Sequence, residues 1–403
     1  MATGLTVRLA VIPFLYTEWT DPFVVEHWAF GRIARSLAQG HGFGSPFADT
    51  GTSALLPPVY AGRLSLIFRV FGSNTVSAVV AAAALNSVLS VLMCVPMYWI
   101  ARRCFGTDRD GRWAAWAWAL SPYGIYYSAD WLWSTCLFTL LLLCLFLASI
   151  DLEASDSPGR WLAFGAAAGI TALTEPVALA VVPFLALVSV WRLFRARRRW
   201  LLPAICAAGA CVAAMSPWIV RNYRIFHDFI PVRDGYGLEL YLGNNGYTEH
   251  WANRSVHPNH NDAELAEYSQ TGEIAYMNHK RDQAMTWIEA HPATFLWLTA
   301  RRVVYMWTGF WSADSKYLNE EPLDPPNWFM ATSMTVLAWI GLRRAFRESN
   351  PQAVRFALPL FFFPLAYYVS HPETYYLRPL DPLVVLLAVF AVTGWIKPRA
   401  LNA

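Results

Sequence analysis

Three carboxylates, Glu18, Asp21 and Glu26, fall within the stretch YTEWTDPFVVEHW (16–28), directly after the first apolar run of a 403-residue chain. Charge beside hydrocarbon is costly unless it is hydrated, paired or put to use. A carboxyl held at partial burial is also a group whose pKa can be tuned for proton abstraction. Each acid has a plainer reading as well. Asp21 before Pro22 matches a helix N-cap with proline at the first helical position. Glu18 marks the end of a span, and Glu26 could pair with Arg35 or with a basic residue of the long loop. Glu26 nevertheless lies on the apolar stripe Phe23, Phe30, Ile33 and Leu37 of a helix stopped by Gly40. That position faces a membrane boundary, or a cleft between this helix and the bundle, rather than open water.

Further ionisable side chains sit near helix ends on the same side. Asp130 lies in YYSADWLWST, and Glu175 in ALTEPVALA precedes Pro176, where it either caps a helix or works as a buried acid. Arg221 closes the run PWIVRNYRIF, Arg233 follows, and His371 and Arg378 flank the tyrosines of SHPETYYLRP. Each arginine either neutralises an anionic ligand or anchors the chain at the interface. Asp130 with Glu26 or His371 has no recognisable metal-ligand spacing, so no metal and no cofactor is expected. The six cysteines lie in apolar segments or a short basic loop without a CxxC pair, which argues against a disulfide framework and a zinc site.

The elements that must position these groups are membrane helices. The chain is 56% hydrophobic and only 15% charged. Its apolar residues form continuous blocks at about 4–17, 75–100, 113–129, 134–150, 161–174, 176–192, 201–220, 326–343, 353–369 and 379–396. Most approach the ~20 residues that cross a bilayer as a helix, and continuous runs exclude the alternation of a β-barrel. The sequence therefore predicts an all-α polytopic membrane protein of about ten transmembrane helices, one integral-membrane domain over 1–403. The first block reads as a retained anchor rather than a signal peptide. A net charge of +3 is too small to imply nucleic acid. Arginines cluster at 101–112, 192–200 and 342–355 and the tail is basic, so these parts and both termini are assigned to the cytoplasm. A first outer loop at 18–74, with an amphipathic helix, and a long outer loop at 221–325 then face outward. Polar helical periodicity begins near Asp262, and the histidines there read as surface residues. The segment 293–311 reads as an amphipathic helix at the outer interface with Arg301 and Arg302 snorkelling.

An acid, an aromatic, the run IARSLAQGHGF and then PPVY resemble the GT-C superfamily of membrane glycosyltransferases, in its family 39, protein-mannosyltransferase-like and aminoarabinose-transferase-like branch. Glu26 stands at that branch's first acid, Phe30 at its aromatic, Ala34 at its small residue, Gly40 at its glycine, and Pro57 and Pro58 at its double proline. His27 replaces the second acid, which leaves Asp21 or Glu18 open as the working group. The terminal YYLRPLDP (375–382) extends the likeness loosely over most of the chain.

The resemblance implies an inverting glycosyltransferase of the cytoplasmic or inner membrane. It would move a sugar from a polyprenyl-phosphate-linked donor to an acceptor hydroxyl of a glycan, lipid or protein on the extracytoplasmic face. Glu26 or Asp21 would serve as general base. Arg221, Arg378 and Arg233, with Asp130, Glu175 and His371, would bind substrate, the arginines neutralising the departing lipid phosphate. The rival class is a polytopic transporter or flippase of a lipid-linked or small polar substrate. Such a protein places ionisable residues and broken helices near the midplane, whereas here the span interiors are nearly free of charge.

Overall fold

The structure is a computed structural model and describes residues 1–15, 29–48, 50–73, 75–129, 132–248, 254–311, 324–373 and 375–396. Glu18, Asp21, Glu26 and Asp130 lie outside the described residues. Every apolar block predicted from hydropathy is mainly helical over its described residues, and no strand occurs among the described residues. The first part of the chain forms α1 (Ala2–Leu15), α2 (Ala29–Ala38), α3 (Pro58–Phe71), α4 (Val76–Leu92), α5 (Cys94–Phe105), α6 (Asp108–Ala119), α7 (Pro122–Ala129), α8 (Thr135–Leu152), α9 (Pro158–Ala172), α10 (Val182–Arg195) and α11 (Leu201–Phe226). The long loop supplies α12 (Tyr236–Gly243), α13 (Asp262–Thr271), α14 (Glu273–Ala290) and α15 (Pro292–Thr308). The chain returns through α16 (Asp324–Arg347), α17 (Ala353–Phe362), α18 (Leu365–Val369) and α19 (Asp381–Ile396).

Among the described residues, five helical stretches are long and apolar enough to cross a bilayer: Val76–Phe105, Thr135–Leu152, Pro176–Arg195, Leu201–Phe226 and Arg378–Trp395. Ala2–Phe14 and Ala353–Val369 are shorter apolar helices. The chain is thus a multi-pass membrane protein. Within lipid, helices gain little from burying apolar surface against one another, so close packing of small residues holds them together. The pairing of α9 with α11 shows this: a Cβ at Gly165 would collide with the Ala207 carbonyl, and one at Gly169 would meet the Cys211 carbonyl. Arg8, fully buried in α1, donates to Ser90 Oγ at 3.1 Å, Ala119 O at 2.7 Å and Trp118 O at 3.1 Å. Its charge is met by carbonyls at the end of α6, which lack partners in their own helix.

Two expectations meet the structure here. Of the two settings open for the α2 stripe, a membrane boundary or a cleft against the bundle, the described residues take the second: Phe30 and Ile33 are completely buried. Phe30 packs edge-on against Tyr60 at 5.0 Å and Trp133 at 4.7 Å, so protein rather than lipid covers it. Helix α15 does exist where an interfacial helix was predicted, but Arg302 does not snorkel. It is fully buried and hydrogen-bonded to protein carbonyls.

Above the bundle, the first and long loops share a second small core of Phe47, Leu55, Leu238, Leu242, Val256, Tyr268, Tyr276 and Met277. The buried Glu273 carboxylate joins them. It accepts from Ser53 Oγ at 2.5 Å, Ala54 N at 2.6 Å and Tyr268 Oη at 2.7 Å. Lys280, equally buried, pairs with Glu264 at 2.6 Å and Glu267 at 3.0 Å. Buried charges persist only when paired in this way.

Candidate active site

Under this cap lies a cavity of about 600 Å³, bordered by the first loop, the α9–α10 turn, α12 and the 370–379 segment. Glu175 reaches it because α9 ends at Leu173 and Pro176 forbids continuation, leaving Glu175 extended (φ −150°) at the lip. Its carboxylate accepts from Ser134 Oγ. On the opposite wall Glu239 of α12 binds Arg233 Nη2 at 2.6 Å. His371 lies 3.5 Å from the same carboxylate through Nε2, and its Nδ1 is 3.1 Å from the Glu239 carbonyl. Gly237 permits this wall to form, since a Cβ there would strike the Met277 carbonyl of α14.

The two carboxyls are driven in opposite directions. Burial pushes the Glu175 carboxyl up, against the lowering influence of Ser134 and of Arg233. Burial also opposes ionisation of Glu239, but Arg233 and His371 outweigh it and hold that carboxyl below its ordinary value. Two titratable groups pushed apart in one cavity are what an acid–base site requires. Around them stand rings. Tyr375 lies 5.6 Å from Trp133, Tyr376 lies 4.7 Å from Tyr367, and His371 lies 5.7 Å from Tyr376. Burial, with Glu239 nearby, keeps the Tyr376 hydroxyl protonated far above its usual range. Aromatic faces beside a few polar groups suit a ring-shaped polar ligand such as a sugar.

The structure therefore brings three sequence-predicted residues together: Glu175, Arg233 and His371. Arg378 lines a second, apolar cavity of about 410 Å³ instead. There its guanidinium lies 4.1 Å over the Tyr123 ring and 3.4 Å from Asp381. Arg221 lines neither cavity. It donates to Ser53 O at 2.8 Å and Phe43 O at 3.3 Å and lies 4.7 Å from the Trp218 ring, which fastens the first loop to α11. Glu239 and His257 were missed from sequence. Glu239 is the lone acid of an otherwise apolar helix, the same signal that singled out Glu175 in ALTEPVALA, but it sits inside the stretch read as a long outer loop. His257, read as a surface histidine, packs 5.3 Å from Phe47 at the cavity edge. Asp234 lies behind the wall. Burial, with Glu273 and Asp228, pushes its carboxyl up to about 7, and its buried Oδ2 has no hydrogen-bond partner among the described residues. Among the described residues no cluster of three or more metal-ligating side chains forms.

Comparison with known proteins bears on this arrangement. Residues 56–220 match the family model of dolichyl-phosphate-mannose-protein mannosyltransferase. The fold matches the oligosaccharyltransferase of Archaeoglobus fulgidus, solved with Zn and sulfate, at a TM-score of 0.56 and 12% identity. That match covers 98% of this chain and 49% of the archaeal one. The likeness is one of fold. The chain spans about half the length of that oligosaccharyltransferase. The archaeal enzyme with an inhibitory peptide and a dolichol-phosphate aligns at a TM-score of 0.47 and 10% identity, over 97% of this chain and 50% of that one. ArnT from Cupriavidus metallidurans, bound to undecaprenyl phosphate, aligns at 0.36 and 13% identity, over 97% and 78%. No curated protein matches the chain in sequence.

Proposed function

We propose that this protein is an inverting glycosyltransferase. It transfers a sugar from a polyprenyl-phosphate-linked donor to an acceptor hydroxyl on the extracytoplasmic face of the membrane. The observation that carries the reading is the cavity in which Glu175, Glu239, Arg233 and His371 meet an aromatic wall at the mouth of a helix bundle. The family model matched by residues 56–220 is named for a sugar on a polyprenyl phosphate, which supports the donor class. The apolar cavity on the other side of the 375–381 segment supports it too. Its lining follows α19 through Val384, Val385, Ala388, Val389 and Val392, opposite Met330 and Met334 of α16, and ends at Arg378. A greasy chain laid along it brings its phosphate to the segment that also carries Tyr375 and Tyr376.

The chemistry follows from charge. A sugar or protein hydroxyl is a weak nucleophile, so a carboxylate must take its proton as the oxygen attacks the anomeric carbon. The bond from that carbon to the phosphate oxygen breaks on the opposite face, and its electron pair leaves with the lipid phosphate. Arginine stabilises that developing charge. Among the described carboxyls Glu175 fits the base, because its raised pKa makes it the more basic of the two and no cation pairs with it directly. Glu239 is held ionised and orients Arg233 and His371. The first-loop acids Glu26 and Asp21 are the competing bases, with Asp130 as a further substrate contact.

A deletion strain tests the reading. Envelope glycans and lipid-linked sugars should change on deletion and return with the wild-type gene. Glu175→Gln, Glu26→Gln and Asp21→Asn then separate the candidate bases. A deletion that leaves every glycan unchanged overturns the proposal and returns weight to a transporter or flippase.

A further inference from the structure

Two pieces of backbone carry the polar wall of the cavity. Glu239 belongs to α12, and His371 follows α18 after Ser370. At their meeting point no side chain fits between them, since a Cβ at Gly243 would collide with the Ser370 carbonyl. Arg302 of α15 enters this junction from behind. It is fully buried. Its Nη2 donates to Gly243 O, and its Nη1 lies 3.3 Å from Asn244 Oδ1, 3.2 Å from Val369 O and 3.4 Å from Tyr368 O. Asn244 reinforces the junction, donating to Leu240 O at 2.8 Å and to Val369 O at 2.9 Å.

The acceptors share one property. Gly243 ends α12, and Tyr368 and Val369 end α18, so these carbonyls lie at helix C-termini where no intrahelical donor is available. The C-terminal end of a helix is also its negative end, which favours a cation. No carboxylate pairs with Arg302 among the described residues. Its charge is answered by helix ends and one amide. Loss of one such group in a buried site leaves several acceptors unsatisfied together, which is costly.

We propose that Arg302 is a positioning residue that caps α12 and α18 at once and thereby fixes the Glu239–His371 pair against the cavity. It touches neither substrate nor the reacting atoms. The planar fork is essential, because a lysine keeps the charge but cannot reach both helix ends in one plane. The inference deepens the glycosyltransferase reading and rests on it for the purpose of the pair, while the clamp itself is testable without any substrate.

The probe is diethyl pyrocarbonate, which modifies unprotonated imidazole, applied to the full-length protein in detergent and read by peptide mass spectrometry at His371. In the wild type this ring is 3% exposed, so labelling is slow. Arg302→Gln should accelerate labelling about tenfold or more by opening the junction. Arg302→Lys should fall between the two. Arg301→Gln, one residue away with its Nη2 bonded to Tyr305 Oη at 2.9 Å, should leave the rate unchanged. Asn244→Ala, which removes one leg of the junction, gives the same acceleration at smaller size and serves if Arg302→Gln does not accumulate. A wild-type rate in folded Arg302→Gln or Asn244→Ala overturns the clamp, as does an equal response in Arg301→Gln. In the deletion strain, Arg302→Gln should fail to restore the glycan profile. If labelling shifts as expected while no glycan depends on the gene, the clamp stands and the sugar-transfer reading falls.

Discussion

The two cavities that flank the 375–381 segment differ in almost every respect. One is walled by carboxyls, an arginine, histidines and aromatic rings, while the other offers mainly valines, methionines and alanines with one arginine–aspartate pair at its end. Consecutive residues divide between them: Tyr375 and Tyr376 face the polar cavity, Leu377 and Arg378 the apolar one. The lesson is that a substrate with a polar head and a greasy tail needs no single amphipathic site. Two sites of opposite character can share one short partition, and the chemistry is then confined to one side of it.

Substitutions on the two sides should therefore fail differently. The largest effect is expected at the polar side. Glu175→Gln should lower sugar transfer by about 100-fold or more, the usual contribution of a positioned general base, measured in membranes with a polyprenyl-phosphate sugar. A smaller loss than that from Glu26→Gln moves the base to the first loop. On the apolar side, Ala388→Trp fills the groove. It should raise KM about tenfold for a long isoprenoid carrier, since overpacking and lost contact cost a kcal/mol or more, and change little for a short-chain donor. An equal effect on both donors erases the division of labour.

Proton affinity separates the two sides further. A base must be ionised, so the rate should rise with pH through the Glu175 pKa, which burial sets above the usual ~4.3 of a glutamate. Ser134 lowers that pKa by donating to the carboxylate, so Ser134→Ala should move the inflection still higher. An inflection that stays in place uncouples Glu175 from the rate. The smallest effect concerns stability. Asp234 holds its proton up to about 7 when folded but only to about 3.9 when unfolded. The folded state thus binds more protons between these values and stability declines as pH rises through them. Asp234→Asn should flatten that decline in thermal unfolding scans.

Hydropathy made the helical blocks legible, because lipid demands continuous apolar helices whatever their partners. It said much less about what each charge touches. Arg302 and Arg301 read alike in TARRVV, yet one is sealed between helix ends and the other bonds a tyrosine nearby. The difference is set by α12 and α18, distant in sequence. Glu175 was visible as an acid in an apolar hairpin and Arg233 as a cation at the right depth, whereas their partner Glu239 was not. The α2 stripe was left between a membrane boundary and a cleft against the bundle, because periodicity reports that a face is buried and not what buries it. Arg221 belonged to the right end of the right helix, but its donors are consumed by the carbonyls of Phe43 and Ser53.

Gly165 and Gly169 let α9 and α11 touch backbone to backbone. Side chains between helices can change rotamer and let their carriers slide, whereas carbonyl against Cα leaves no such slack. The two helices thus form a single plank, and Glu175 is mounted just past its end. On the proposed reading, any opening and closing that admits the donor must come from the opposing wall.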